Sequence, residues 1–105
     1  MSNYKDPTDL RFQERLAEAD EAKATLRRRT EVGDFVWLMS DKRGRRFVWR
    51  LLDKAGVFRS TFTGNSETFF REGLRNMGLF VLSEVHELTP DAFTQMLKEQ
   101  KSYDN

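Results

Sequence analysis

Cysteine is absent from the 105-residue chain, and histidine occurs once, as His86. The lack of cysteine excludes disulfides and thiolate metal sites, and it agrees with a reducing compartment. A single histidine cannot build a transition-metal site alone. No apolar run approaches the length of a membrane span, and the N-terminus lacks the apolar segment of a signal peptide. We therefore expect a soluble protein without cofactors, made in the cytoplasm.

Apolar residues are also scarce, at 38% of the chain, whereas charged residues reach 33%. The shortage lies in residues 1–31, because residues 32–97 hold both tryptophans and most of the nine phenylalanines. This distribution predicts a polar arm and one core of about 65 residues. A core of that size is marginal alone, and partners often supply the burial that it lacks.

The net charge of +1 is distributed unevenly. Residues 1–33 carry seven basic and seven acidic side chains, residues 34–64 seven basic against three acidic, and residues 65–105 four basic against seven acidic. A basic middle followed by an acidic end favours electrostatic steering or head-to-tail association. The excess is too small to indicate nucleic acid by itself.

Helical patterns predict an all-α protein, with a small domain of three to four helices preceded by a long polar N-terminal helical arm. The arm takes residues 1–33, the helical core domain residues 34–101, and a frayed tail residues 102–105. Strong helix formers fill residues 8–31, and Gly33 is expected to end that helix.

Caps and apolar spacing predict the helices of the core domain. Asp34 starts a short apolar segment, and the next helix covers residues 41–55 and ends at Gly56. Its predicted core side is Phe47, Val48, Leu51, Leu52 and Ala55. Residues 57–65 are expected to be extended or looped, with Phe58 and Phe62 inserted into the core. A final helix over 90–101 is expected to bury Ala92, Phe93, Met96 and Leu97.

The helix that follows Ser66 has the most regular apolar stripe. Its members recur at spacings of three and four and are predicted to face the core: Phe70, Leu74, Met77, Val81, Val85 and Leu88. Gly73 and Gly78 lie inside this helix, each at a cost of about 1 kcal/mol relative to alanine. That cost predicts a close approach of another helix at both glycines.

No catalytic constellation is apparent. Ser83, His86 and Asp91 could be combined on paper, but a chain of this size offers such a set by chance. Carboxylate pairs such as Glu14 and Glu18 lie on polar helical faces, where solvated surface is the default. The glycine spacing matches neither dinucleotide-binding nor phosphate-binding loops. We expect no enzyme, and no catalytic, cofactor-binding or metal site.

Between Lys42 and Arg50, five basic residues are interleaved with the aromatic residues Phe47 and Trp49. One interpretation is a phosphate or nucleic-acid contact; another is a helix start whose arginines pair with acidic neighbours. We expect a protein-binding surface in preference to a DNA-binding one, and its candidate residues are Arg45, Arg46, Trp49, Trp37 and Arg50. The chain has more aromatic residues than the inward apolar stripes of its helices can hold. Half of the following are therefore expected in the core and half on a partner surface: Trp37, Trp49, Phe58, Phe62, Phe69 and Phe80.

Two stretches carry a family resemblance: DFVWLMS, KRGRRFVWRLL and AGVF between positions 34 and 58, and REGLRNMGLFVL and PDAFTQML between positions 71 and 97. They resemble short proteins encoded among the particle-assembly genes of short-tailed bacteriophages and related prophages. The resemblance covers residues 34–98 and excludes the arm. It implies a virion-associated or assembly role and supplies no active site.

Together these features predict a helical adaptor, present in many copies in the virion, that binds a larger phage structural protein or copies of itself. A basic module contacting packaged DNA inside the head is the alternative. An early protein that binds a host factor is a third possibility.

Overall fold

The computed structural model of the chain describes residues 9–59, Gly64 and residues 67–104. This described part contains four helices and no strand, which confirms the predicted all-α class. The helices are α1 (Leu10–Met39), α2 (Lys42–Ala55), α3 (Glu67–Leu88) and α4 (Pro90–Asp104). The chain divides into two compact units, Met1–Gly33 and Asp34–Asn105.

The first unit, over its described residues 9–33, is a helix that is polar on all sides. Asp9 caps it, since its Oδ1 accepts a hydrogen bond of 2.9 Å from the backbone N–H of Arg11. Nearly every side chain is exposed, and Leu10, Leu16 and Leu26 form no buried stripe. A helix of this kind depends on local side-chain pairs or on a partner for its stability.

The prediction that a helix ends at Gly33 was wrong. Helix α1 continues to Met39, so Gly33 and Asp34 are internal positions. A glycine within a helix costs only about 1 kcal/mol. The continuation places Met39 in the core, with Phe35 and Leu38 packed against it, and this burial outweighs the local stop signal.

Helix α2 has the predicted ends. Asp41 caps its start, where Oδ1 accepts a hydrogen bond of 2.7 Å from the backbone N–H of Arg43. Gly56 closes it in the left-handed conformation, with φ of 74°, and its N–H bonds back to the last turn. The left-handed region is open to glycine without a steric penalty, which is why the helix ends here.

The core of the second unit draws on all four helices. Its buried members come from the end of α1, from α2 and the turn after it, from α3 and from α4: Met39, Val48, Leu52, Val57, Val85 and Met96. Ala92 and Phe93 of α4 pack against this cluster as predicted, whereas Leu97 is exposed. Helix α4 also continues to Asp104, beyond the predicted end at residue 101 and into the predicted frayed tail.

Two glycines bring helices into close contact. A Cβ on Gly78 would lie 2.5 Å from Val57 Cγ2 and 2.6 Å from Ala55 Cβ, so the prediction of close packing is confirmed there. A Cβ on Gly44 would lie 1.9 Å from the carbonyl oxygen of Leu38. Gly44 therefore lets the start of α2 press against the end of α1, a role that the sequence did not suggest.

The predicted inward stripe of α3 is only half correct. Val85 is buried, and Val81 and Leu88 are partly buried, but the other three members are exposed: Phe70, Leu74 and Met77. The inward side of α3 runs through Gly78 and Val85. Because Gly78 has no apolar side chain, the apolar pattern does not mark it. The predicted inward side of α3 was therefore rotated around the helix axis away from the observed one. Gly73 has nothing within 4 Å of a Cβ, so close packing there was wrong.

Candidate functional site

Arg45 is held inside the fold by three hydrogen-bonded nitrogens. Its Nε and Nη2 donate to Glu99 Oε1 and Oε2 at 3.0 and 2.7 Å, and its Nη1 donates to the carbonyl oxygen of Met39 at 3.0 Å. The side chains of Arg45 and Glu99 are only 13% and 12% exposed. Such a two-point pair fixes geometry as well as charge, so Arg45 ties α2 to α4 and to the end of α1.

The pair shifts the titration of both partners. The hydrogen bond from Arg45 holds the pKa of Glu99 below its ordinary value, against desolvation that would raise it. The same bond raises the pKa of Arg45. Gln95 adds a hydrogen bond of 3.1 Å to Glu99. Part of the charge contrast between the basic middle and the acidic end is therefore used within the fold.

Trp49 also belongs to the packing of the second unit. It lies partly buried against the core, and its ring stacks on Phe58 with centroids 5.4 Å apart. Phe58 is itself half exposed and covers Trp49 in place of filling the core as predicted. Phe62, the other predicted insertion, lies outside the described residues. The geometry thus favours structural roles for Arg45 and Trp49, the second interpretation of the Lys42–Arg50 segment.

The other candidate residues are exposed on the surface: Arg46, Arg50 and Trp37. Arg46 lines a basic groove between α2 and α4, which we define by Lys42, Arg46 and Lys98. Trp37 and Arg50 do not line that groove, and Trp37 is 75% exposed. The five predicted binding residues therefore do not form one surface.

Trp37 belongs to a surface that we call the aromatic–basic face, defined by Trp37, Arg43, Phe47 and Leu51. The last three recur every four residues along α2 and so share one side of the helix. Trp37 and Arg43 line one shallow depression. Phe47 is 53% exposed and Leu51 is exposed as well, so their predicted burial was wrong.

Arg43, Phe47 and Leu51 are the surface residues that the sequence interpretation missed. A usable signal was present, because Gly44, Val48 and Leu52 also recur every four residues and are all buried. Treating Gly44 as a packing position would have turned the inward side of α2 away from Phe47 and Leu51. Arg50 and Lys54, both exposed, lie beside this face and add positive charge.

The residues considered for chemistry lie apart from these surfaces. The ring of His86 meets the ring of Phe93 edge-on, with centroids 4.5 Å apart. The hydroxyl of Ser83 donates to the carbonyl oxygen of Phe80 at 2.7 Å. Within the described ranges, no three histidine, aspartate or glutamate side chains are grouped so that they could hold a metal ion. No described helix is long and apolar enough to cross a membrane.

Similarity to known proteins is found at the level of a protein family. No curated protein and no solved structure is significantly similar to the chain. The model of a family described as Bbp19-like phage protein matches residues 35–98. The match falls within the second unit, covers more than half of the chain, and confirms the predicted resemblance to a phage family. The chain therefore belongs to the family of Bbp19-like phage proteins.

Proposed function

We propose that this phage protein is a small non-enzymatic component of a tailed bacteriophage particle, present in multiple copies, whose second unit docks onto a larger structural protein. The observation that carries the proposal is the aromatic–basic face. The resemblance to products of particle-assembly genes of short-tailed bacteriophages supports the setting. Family membership supplies the phage origin.

The composition of the aromatic–basic face suits a protein partner. Tryptophan and arginine are the residue types that contribute most at protein interfaces, and the face combines Trp37 and Arg43 with exposed Phe47. The side chain of Arg43 is 84% exposed, and its Nη2 lies 3.5 Å from Oδ2 of Asp41. The partner that fits is therefore a protein surface with an apolar depression bordered by carboxylates.

A double variant, Trp37→Ala with Phe47→Ala, tests the docking role. Both side chains are largely exposed, so the variant should keep the circular dichroism spectrum and unfolding of the wild type. Truncating a central interface residue typically costs at least ~2 kcal/mol, so the variant should be lost from purified particles. Leu97→Ala, another exposed apolar truncation, is the matched control and should be incorporated normally. Normal incorporation of the double variant would contradict the proposal.

A second candidate function rests on the basic groove. Lys42, Arg46 and Lys98 line it together, and none of them lines the depression that holds Trp37 and Arg43. Three cations could contact the backbone phosphates of packaged DNA, although the carboxylate of Glu99 also lines the groove. Phosphate contacts of this kind lose affinity steeply as salt rises.

A salt titration separates the two functions. Under the adaptor proposal, any affinity for duplex DNA should be largely gone by about 200 mM salt. The triple variant Lys42→Ala, Arg46→Ala and Lys98→Ala should still join particles. DNA binding that survives such salt and disappears in the triple variant would favour the DNA-contacting module instead.

A further inference from the structure

Helix α3 carries a second exposed apolar surface, which we call the α3 seam: Phe70, Gly73, Met77 and Phe80. Their spacings of three, four and three are those of the alternating core positions of a coiled coil. Phe70, Met77 and Phe80 are 60–68% exposed, and nothing lies within 4 Å of a Cβ on Gly73. The seam is thus an apolar stripe that the described part of the chain leaves uncovered, with a notch at Gly73.

The seam is complementary to a second copy of itself in the antiparallel direction. When two such helices are aligned in reverse about position 75, Phe70 of each meets Phe80 of the other, and Met77 of each meets Gly73 of the other. A long flexible methionine side chain is suited to filling an irregular gap, and Gly73 leaves such a gap. The parallel arrangement would instead place glycine opposite glycine and leave the notch empty.

Charge and size also favour a second copy. None of the four seam positions carries a charge, and neither do the flanking exposed residues Phe69 and Leu74. A phenylalanine buries roughly 150–250 Å² when enclosed, so these six positions in two copies offer on the order of 1,000 Å², about the smallest area expected of a specific interface. The seam positions themselves offer no ion pair, and the charged residues Glu67 and Arg71 lie with Phe70 and Leu74 in a depression at one end of the seam.

We propose that two copies of the chain associate through an antiparallel pairing of their α3 seams, with Met77 of each copy seated over Gly73 of the other. The interface is isologous, since both copies contribute the same residues. The proposal goes beyond the adaptor function and does not depend on it. A dimer of this kind presents two aromatic–basic faces, and two linked contacts bind an assembled particle far more tightly than one.

Sedimentation velocity on the purified full chain tests the association. The wild type should pass from monomer to dimer as the concentration rises through the micromolar range. Gly73→Leu, which fills the notch, should shift the midpoint at least tenfold higher while the circular dichroism spectrum is kept, because Gly73 faces open space in the monomer. Leu97→Ala, a truncation of an exposed apolar residue on α4 outside the seam, should leave the midpoint unchanged. A wild type that stays monomeric, or a Gly73→Leu variant that dimerises normally, would overturn the proposal.

Cysteine cross-linking tests the direction of pairing, and the absence of native cysteine makes the readout unambiguous. A mixture of Phe70→Cys and Phe80→Cys chains should form disulfide-linked dimers under mild oxidation faster than either chain alone. Faster linkage of two Phe70→Cys chains to each other, or of two Phe80→Cys chains to each other, would indicate parallel pairing and contradict the arrangement. Because no phage particle is used, failure here is distinguishable from failure of the adaptor proposal.

Discussion

Replacing Gly78 with alanine should destabilise the second unit, although alanine is the better helix former. The added Cβ would lie 2.5 Å from Val57 Cγ2 and 2.6 Å from Ala55 Cβ. Both distances are below 3.0 Å, the shortest separation that a Cβ normally has from a neighbouring heavy atom. Neither neighbour gives way easily, because Val57 is buried and branched and Ala55 Cβ is fixed to the backbone of α2. Overpacking costs about 1–3 kcal/mol, and helix propensity returns about 1 kcal/mol. We expect a net loss of up to about 2 kcal/mol.

Thermal and urea unfolding followed by circular dichroism measure this change, at concentrations where the chain is monomeric. In a domain of this size, each kcal/mol lowers Tm by about 4–8 °C. Gly73→Ala is the matched control on the same helix, and it should raise stability by about 0.5–1 kcal/mol because nothing lies near its Cβ. If Gly78→Ala were stabilising to the same extent, α3 would not approach α2 as closely as described.

Three further predictions follow from the packing and charge of the second unit. Arg45 lowers the pKa of Glu99, so the pair stabilises the fold fully above the ordinary glutamate pKa of 4.5 and loses this effect as the pH falls through the lower folded-state pKa. Glu99→Gln should remove this part of the pH dependence of stability in acid unfolding curves. An unchanged curve would refute the prediction. Gly44→Ala should cost more than Gly78→Ala in the same unfolding assay, because its Cβ meets a backbone oxygen at 1.9 Å; an equal or smaller loss would contradict the tight crossing. Deleting residues 1–31 should leave cooperative thermal unfolding, since all buried core residues in the described part of the chain lie within Asp34–Asn105, and loss of the transition would show that the arm belongs to the core.

The parts of the fold that the sequence predicted correctly depend on local chemistry. Asp41 and Gly56 mark the ends of α2 because a capping carboxylate and a left-handed glycine act within a few residues of their own position. Helical periodicity likewise identified α3 and α4. These signals need no knowledge of what packs against the helix.

The errors arose where tertiary packing decides the outcome. Gly33 is a good helix stop, but burial of Met39 continues α1 past it. The inward sides of α2 and α3 were misplaced because Gly44 and Gly78 occupy packing positions without an apolar side chain. At both glycines the helices approach closely because the residue has no side chain, so a pattern of apolar residues does not mark these contacts.

The sequence indicated the segment that holds most of the candidate site, but it did not show which of its side chains belong to the core and which to separate surfaces. Density of basic and aromatic residues drew attention to Lys42–Arg50, yet composition does not tell which arginine meets an acidic partner 54 positions away, as Arg45 meets Glu99. Trp37 and Arg50 remained on the surface, and their predicted role in partner binding stays a prediction. Arg46 faces the basic groove instead.

Quantitative mass spectrometry of gradient-purified phage particles tests the adaptor proposal most directly. The proposal predicts that peptides of this chain remain with the particles through successive gradients, in several copies and at a constant ratio to the major structural proteins. Detection of the chain in infected-cell lysate together with its absence from purified particles would contradict a structural role and favour an early protein that binds a host factor.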